Sequence, residues 1–137
     1  MGMSGPGGGG EPAPELEVGG IRGFIPKYNT TTAITLTAGK AEANGKIFDL
    51  SSDVSHAMTS LLSAYGLHYI YIDDSASTEP TAVFIDSLTA PSWDVAKCGW
   101  YNGDDRCIGV VPSPLSVIGV TYFSTEVMSD KTIRVAW

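Results

Sequence analysis

Leu67-His68-Tyr69-Ile70-Tyr71-Ile72-Asp73 is the stretch that decides the fold class. Its alternation sends Leu67, Tyr69, Tyr71 and Asp73 to one face and His68, Ile70 and Ile72 to the other, the period of two of a β-strand. Aromatic and β-branched residues on both faces place it in the middle of a sheet. Toward the N-terminus, Thr30 to Ala38 sets Ile34 and Leu36 between threonines, with Thr31, Thr35 and Thr37 opposite, and predicts a half-buried strand. Gly39 and the turn Asn44-Gly45 lead into a short strand from Lys46 to Leu50. Toward the C-terminus, strands are expected at Thr81 to Asp86, Val95 to Tyr101, Arg106 to Val111, Ser116 to Phe123 and Lys131 to Trp137. Short strands divided by Gly, Pro, Asn, Asp and Ser turns predict an all-β protein, an antiparallel β-sandwich or jelly-roll-like domain. One segment, Ser52 to Tyr65, reads equally well as a helix capped by Asp53, with Val54, Ala57, Met58, Leu61 and Leu62 as its apolar stripe.

In front of the strands lies a different composition. Eight of the 16 glycines fall in residues 1 to 20, where Leu16 and Val18 are the only large aliphatics besides the methionines, too few to offset the entropy of ordering the segment. The chain therefore divides into a flexible Gly/Pro-rich arm, 1–20, and a β-domain, 21–137. Gly7, Gly8, Gly9 and Gly10 allow backbone to enter a tight groove, and with Pro12, Pro14, Leu16 and Val18 they are the expected anchoring residues against another chain. At the other end, the strand through Ile133 and Val135 stops on Trp137, an unprotected aromatic that is a candidate subunit contact.

Eight basic against fifteen acidic side chains give a net charge of −7, a field that repels phosphate backbones and anionic lipid, so no nucleic-acid partner is expected. The most apolar run, Cys107 to Phe123, is broken by Pro112, Pro114 and serines, well short of the roughly 20 apolar residues of a membrane span, and no membrane insertion is expected. Met1 to Ser4 has neither a charged nor an apolar leader region, so no secretory signal is expected.

Asn102-Gly103 is a strong two-residue hairpin signal. Taken as the loop, it pairs Tyr101 with Asp104, Trp100 with Asp105, Gly99 with Arg106 and Cys98 with Cys107. The two cysteines then form a candidate thiol pair, either neighbouring buried thiols or a disulfide. His56 and His68 are the only histidines, so a three-histidine zinc site is excluded and a serine triad would need one of them as base. No nucleotide loop or hydrolase motif is present, and neither catalysis nor a cofactor is expected. Asp73-Asp74 and Asp104-Asp105 offer oxygen ligands suited to calcium, but each pair sits where a strand enters a turn, a place aspartate favours on its own account. Trp93, Trp100, Tyr101 and Tyr122 read either as core and subunit contacts or as a platform on which a glycan stacks.

Tyr28-Asn29, Thr35-Leu-Thr-Ala-Gly39, Tyr69-Ile-Tyr-Ile-Asp-Asp74, Thr89-Ala-Pro91 and Gly99-Trp-Tyr-Asn-Gly-Asp-Asp-Arg-Cys-Ile-Gly109 together resemble a β-rich module of tailed-bacteriophage virion proteins, over roughly residues 21 to 125. Such modules occur in tail-fibre, head-fibre and other appendage proteins, often as trimers. The resemblance implies a non-enzymatic structural protein of the virion, assembled in the host cytoplasm as a homotrimer with other capsid or tail proteins as partners. With 137 residues and no fibrous repeat, the chain fits a capsid decoration or head-fibre protein held by its arm. The alternative is a tail-fibre or receptor-binding module that recognises a host-surface glycan.

Overall fold

A computed structural model of the chain describes residues 16–61, 65–113, 124–127 and 133–136. The strands are β1 (Ile21–Arg22), β2 (Pro26–Thr30), β3 (Ala33–Leu36), β4 (Gly39–Ala43), β5 (Lys46–Leu50), β6 (Val54–Ala57), β7 (Gly66–Ile72), β8 (Phe84–Ser87), β9 (Ser92–Asp94), β10 (Gly99–Asn102), β11 (Asp105–Ser113), β12 (Ser124–Val127) and β13 (Ile133–Ala136). No helix occurs among the described residues. The antiparallel sheets run β1-β4-β5, β2-β3-β6, β8-β7-β11-β10-β9 and β12-β13, so the protein is all-β as its alternation predicts.

The core lies between the five-stranded sheet and the two described three-stranded ones. Ile34 and Leu36 of β3, Ala41 and Ala43 of β4 and Phe48 of β5 meet Ile70 and Ile72 of β7 and Ile108 and Val111 of β11. Each large aliphatic buried here contributes about 1.5–3 kcal/mol. Strand β7 is interior, as its two apolar faces require: His68, Ile70 and Ile72 are fully buried, and Tyr71 is buried on the opposite face.

The two three-stranded sheets are joined at a corner where the chain passes from β1 to β2 and from β3 to β4. Phe24 N–H donates to Thr37 O (2.9 Å), Thr37 N–H to Ile25 O (3.2 Å), and Ile25 N–H to Thr37 Oγ1 (3.0 Å). A bend of this kind lets one strand pair serve two sheets. Gly23 makes it possible: its φ is 74°, and a Cβ there would stand 2.0 Å from Ala38 O. The following Phe24 holds φ 57°, unfavourable for an aromatic, and stays there because its ring is fully buried edge-on to Phe84 at 5.7 Å.

Several sequence expectations are corrected. The strand expected over Thr30 to Ala38 is shorter, because Thr31 and Thr32 form the turn between β2 and β3. The helix allowed over Ser52 to Tyr65 is absent among the described residues. Its first turn is instead β6, where Val54 to Ala57 pair with Leu36 to Ala33, and the Asp53 carboxylate accepts the Ala38 N–H at 2.9 Å. The open edge of β3 supplies hydrogen bonds to a segment whose helical stripe was short, a tertiary contact outweighing a local propensity. The expected strand from Val95 to Tyr101 starts later, since residues 95–98 form a turn between β9 and β10. The expected strand from Ser116 to Phe123 lies outside the described residues.

Of the two Asn-Gly dipeptides, Asn44-Gly45 forms the expected two-residue turn, with φ 54° and 79° and Ala43 facing Lys46, the type I′ pattern. Asn102-Gly103 does not. Asn102 is paired with Asp105 and Tyr101 with Arg106, so the loop is Gly103-Asp104 with positive φ only at Gly103 (61°), the type II′ pattern. Contacts from outside the hairpin fix this choice. Asn44 Nδ2 donates to Asp104 O at 2.7 Å, and Asp74 N–H donates to Asp105 Oδ1 at 2.8 Å. Moving the loop one residue slides each cross-strand pair by two, so Cys98 and Cys107 are not partners. Cys98 is exposed in the turn before β10, Cys107 is fully buried on β11, and both are free thiols.

These two glycines separate backbone strain from collision. A Cβ on Gly103 meets nothing within 4 Å, so Gly103→Ala should cost only the left-handed conformation, about 1–2 kcal/mol. Gly23→Ala adds a clash with backbone and should cost at least about 3 kcal/mol. Denaturant titration of both variants checks this ordering; equal losses would contradict the corner geometry.

Candidate functional site

Arg106 lies on β11 opposite Tyr101 and Ile72 and is 2% exposed. Its Nη1 donates to Gly20 O (3.0 Å) and Glu42 O (2.7 Å), and its Nη2 donates to Gly19 O (2.8 Å). Glu42 on β4, also buried, completes the clamp. Its Oε1 accepts the Gly19 N–H and its Oε2 the Gly45 N–H, both at 2.7 Å. Burial lowers the proton affinity of the guanidinium, while Tyr101 and Glu42 act in the opposite direction. A buried charge is tolerable when hydrogen bonds replace its hydration, and three carbonyls do so for the two Nη groups here, while Nε is buried without a partner.

What is clamped is the root of the N-terminal arm. Gly20 N–H donates to Glu17 O (2.8 Å), closing a tight turn in which Gly19 has φ 82°, and Glu42 N–H takes Gly20 O into the β1–β4 pairing (3.0 Å). Gly19 lies flush on the turn before β10, where a Cβ would stand 2.3 Å from Cys98 O. Residues 17–20, assigned to the arm by composition, are thus held by the domain. Leu16 is half-buried and Val18 is exposed. Gly7, Gly8, Gly9, Gly10, Pro12 and Pro14 lie outside the described residues, as does Trp137.

The histidines belong to a second buried network. Asp86 on β8 accepts from His56 Nε2 (2.7 Å), Thr59 N–H (3.0 Å), Thr59 Oγ1 (3.1 Å), Ser60 N–H (2.7 Å) and Ser60 Oγ. Ser60 Oγ also lies 2.8 Å from His68 Nδ1. Since the single Ser60 hydroxyl proton goes to Asp86, His68 Nδ1 must carry a proton and donate, which leaves a bare Nε2 in neutral His68. That Nε2 is buried without a partner. The order is the reverse of a nucleophile handing its proton to a histidine base, and it ties residues 56–60 to β7 and β8. Asp86 lies well below the ordinary carboxylate range: burial opposes ionisation, but hydrogen bonds from His56, Ser60 and Thr59 outweigh it. His68 is pushed down by burial, partly offset by Asp86.

The aspartate pairs are occupied by protein donors. Asp73 Oδ1 accepts from Ser75 Oγ (2.9 Å), and Asp74 Oδ1 accepts from Asn44 Nδ2 (3.1 Å) and Lys46 Nζ (3.3 Å). Burial pushes the Cys107 thiol up to about 12, which makes it inert at neutral pH. Trp93 and Trp100 stand opposite one another on β9 and β10, edge to face at 5.7 Å, and Tyr101 is buried on the other face; Tyr122 lies outside the described residues. Sequence reasoning singled out neither Arg106, Glu42 nor Asp86 for these roles. The available signal was a charge inside an apolar strand, as in Ala41-Glu42-Ala43 and Phe84-Ile85-Asp86, which requires a buried partner.

Two measurements test these networks. Removing residues 1–15 should change unfolding free energy by less than about 0.5 kcal/mol, whereas removing 1–20 strips Arg106 and Glu42 of partners and should cost about 2–4 kcal/mol. For pH, the folded state resists protonating His68, so the unfolded chain binds more protons below the ordinary value of 6.5 and stability falls as pH drops through that point. Asp86 has the same sign at lower pH, losing its contribution below the ordinary 3.8. His68→Asn, which retains a donor toward Ser60, should flatten the decline that begins below 6.5 while leaving the deeper acid limb; an unchanged slope would contradict the neutral His68 assignment.

No family model, curated protein or solved structure matches this chain.

Proposed function

We propose that this chain is a non-enzymatic virion structural protein of the capsid-decoration or head-fibre type, attached to its particle by the N-terminal arm. The observation that carries the reading is the clamp on Gly19 and Gly20. A linker that merely trails from a domain has no need of a buried arginine and glutamate at its root. Here both are spent on fixing the point where the arm leaves the β-domain. Load on the arm then passes through Arg106 into β11, the middle strand of the five-stranded sheet, rather than into an edge strand that could peel away. The glycine-rich composition of residues 5–10 suits close backbone approach to a partner surface, and the resemblance to phage appendage modules supplies the class of partner: capsid or tail proteins, with the chain itself as a homotrimer.

The test compares the full chain with a form lacking residues 1–15 in a pelleting assay on particles stripped of this protein. The full chain should co-sediment and the truncated form, equally folded, should remain in the supernatant. A truncated protein that still decorates particles overturns the arm as anchor, and a full chain that never does so overturns the assignment.

A further inference from the structure

We propose that Asn102 is a self-modification site, converted to aspartate and isoaspartate through a cyclic imide formed with the Gly103 nitrogen, while the fold protects the identical dipeptide Asn44-Gly45. This goes beyond the anchoring role and does not depend on it. The reaction needs two groups free to meet, the side-chain carbonyl carbon of an asparagine and the backbone nitrogen of the next residue. Glycine in that next position leaves the approach open, since it carries no Cβ. Of the three asparagines in the chain, Asn44 and Asn102 precede glycine. The third, Asn29, precedes the β-branched Thr30 and donates through Nδ2 to Ser55 Oγ at 3.2 Å.

The two Asn-Gly sites differ in what holds them. Asn44 Nδ2 donates to Asp74 Oδ1 (3.1 Å) and Asp104 O (2.7 Å), so its amide cannot swing toward the backbone without losing both bonds. The nitrogen that would attack is occupied as well, because the Gly45 N–H donates to Glu42 Oε2 at 2.7 Å. Asn102, by contrast, is exposed, and its side chain makes no hydrogen bond among the described residues. The Gly103 N–H, at the first corner of its turn, has no partner among them either. Steric room does not separate the sites, since a Cβ on Gly45 or on Gly103 would meet nothing within 4 Å. Hydrogen bonding does.

Water is the only co-reactant. Gly103 N gives its proton to solvent base and bonds to Asn102 Cγ, and the side-chain nitrogen leaves as ammonia. Water then opens the imide. Attack at Cγ breaks the new bond, restores the original peptide link and leaves aspartate; attack at the backbone carbonyl leaves isoaspartate, with the chain running through the former side chain. Either product adds a negative charge beside Asp104 and opposite Asp105, and isoaspartate inserts a methylene into the backbone at that cross-strand pair. The change falls next to the bonds from Asn44 to Asp104 O and from Asp74 to Asp105 Oδ1, so ageing acts on the joint that fixes the β10–β11 register.

The experiment is ageing of the full chain in mildly alkaline buffer made with heavy-oxygen water, followed by peptide mapping with mass spectrometry. Heavy oxygen should enter at Asn102 at least about tenfold faster than at Asn44, where three hydrogen bonds must break before the ring closes. In concentrated urea the two rates should converge, because the protecting bonds are gone. Asn102→Gln, whose longer side chain closes a larger and slower ring, should abolish labelling at that position and leave the melting point unchanged. No labelling at Asn102, a folded-state preference below about tenfold, or a preference that persists in urea would overturn the proposal.

Discussion

The guanidinium of Arg106 is the interaction on which the rest of the arrangement depends. It is a cation buried between the two layers of the sandwich, and three backbone carbonyls from two separate segments stand in for its lost water. That requirement determines where other parts lie. The arm root must turn at Glu17–Gly20 to present the carbonyls of Gly19 and Gly20, Glu42 must lie on the face of β4 opposite Ala41 and Ala43, where its carboxylate reaches the Gly19 N–H, and Tyr101 must face Arg106 across the β10–β11 ladder. A hairpin register shifted by two would separate Tyr101 from Arg106. The physics of one desolvated charge therefore reaches the turn at Gly103, the hairpin at Asn44 and the entry of the chain into the domain.

The Asp86 network repeats the solution with the opposite sign. A fully buried carboxylate collects hydrogen bonds from His56, Thr59 and Ser60, and in doing so fastens a segment that has no strand pairing beyond Ala57. Charges bonded in this way specify one packing among many, because an alternative that breaks these bonds leaves a charge without partners in a low dielectric. The two networks share no residue. Between them they hold the connections leading into β1 and out of β6, the segments for which hydrophobic contact alone offers little.

For function, the consequence is a division of labour. The apolar core explains a stable β-domain and says nothing about partners. The clamp explains why a Gly/Pro-rich arm starts from a fixed point.

The sequence by itself determined the all-β class, the interior position of β7 and the Asn44-Gly45 hairpin, since period-two alternation and a glycine at positive φ are local requirements that no distant residue has to supply. It also marked the compositional break near residue 20. What only the tertiary structure decided were the choices between near-equal local options. Val54 to Ala57 became β6 because β3 had a free edge, the loop after β10 moved to Gly103-Asp104 because Asn44 and Asp74 grip the residues beyond it, and Cys98 was thereby parted from Cys107. Arg106, Glu42 and Asp86 carry no local signature of their partners, which are 64, 23 and 26–30 residues away in sequence at their principal contacts. Which carbonyl meets a buried charge is a property of the folded chain, because desolvation exists only once the two layers have closed.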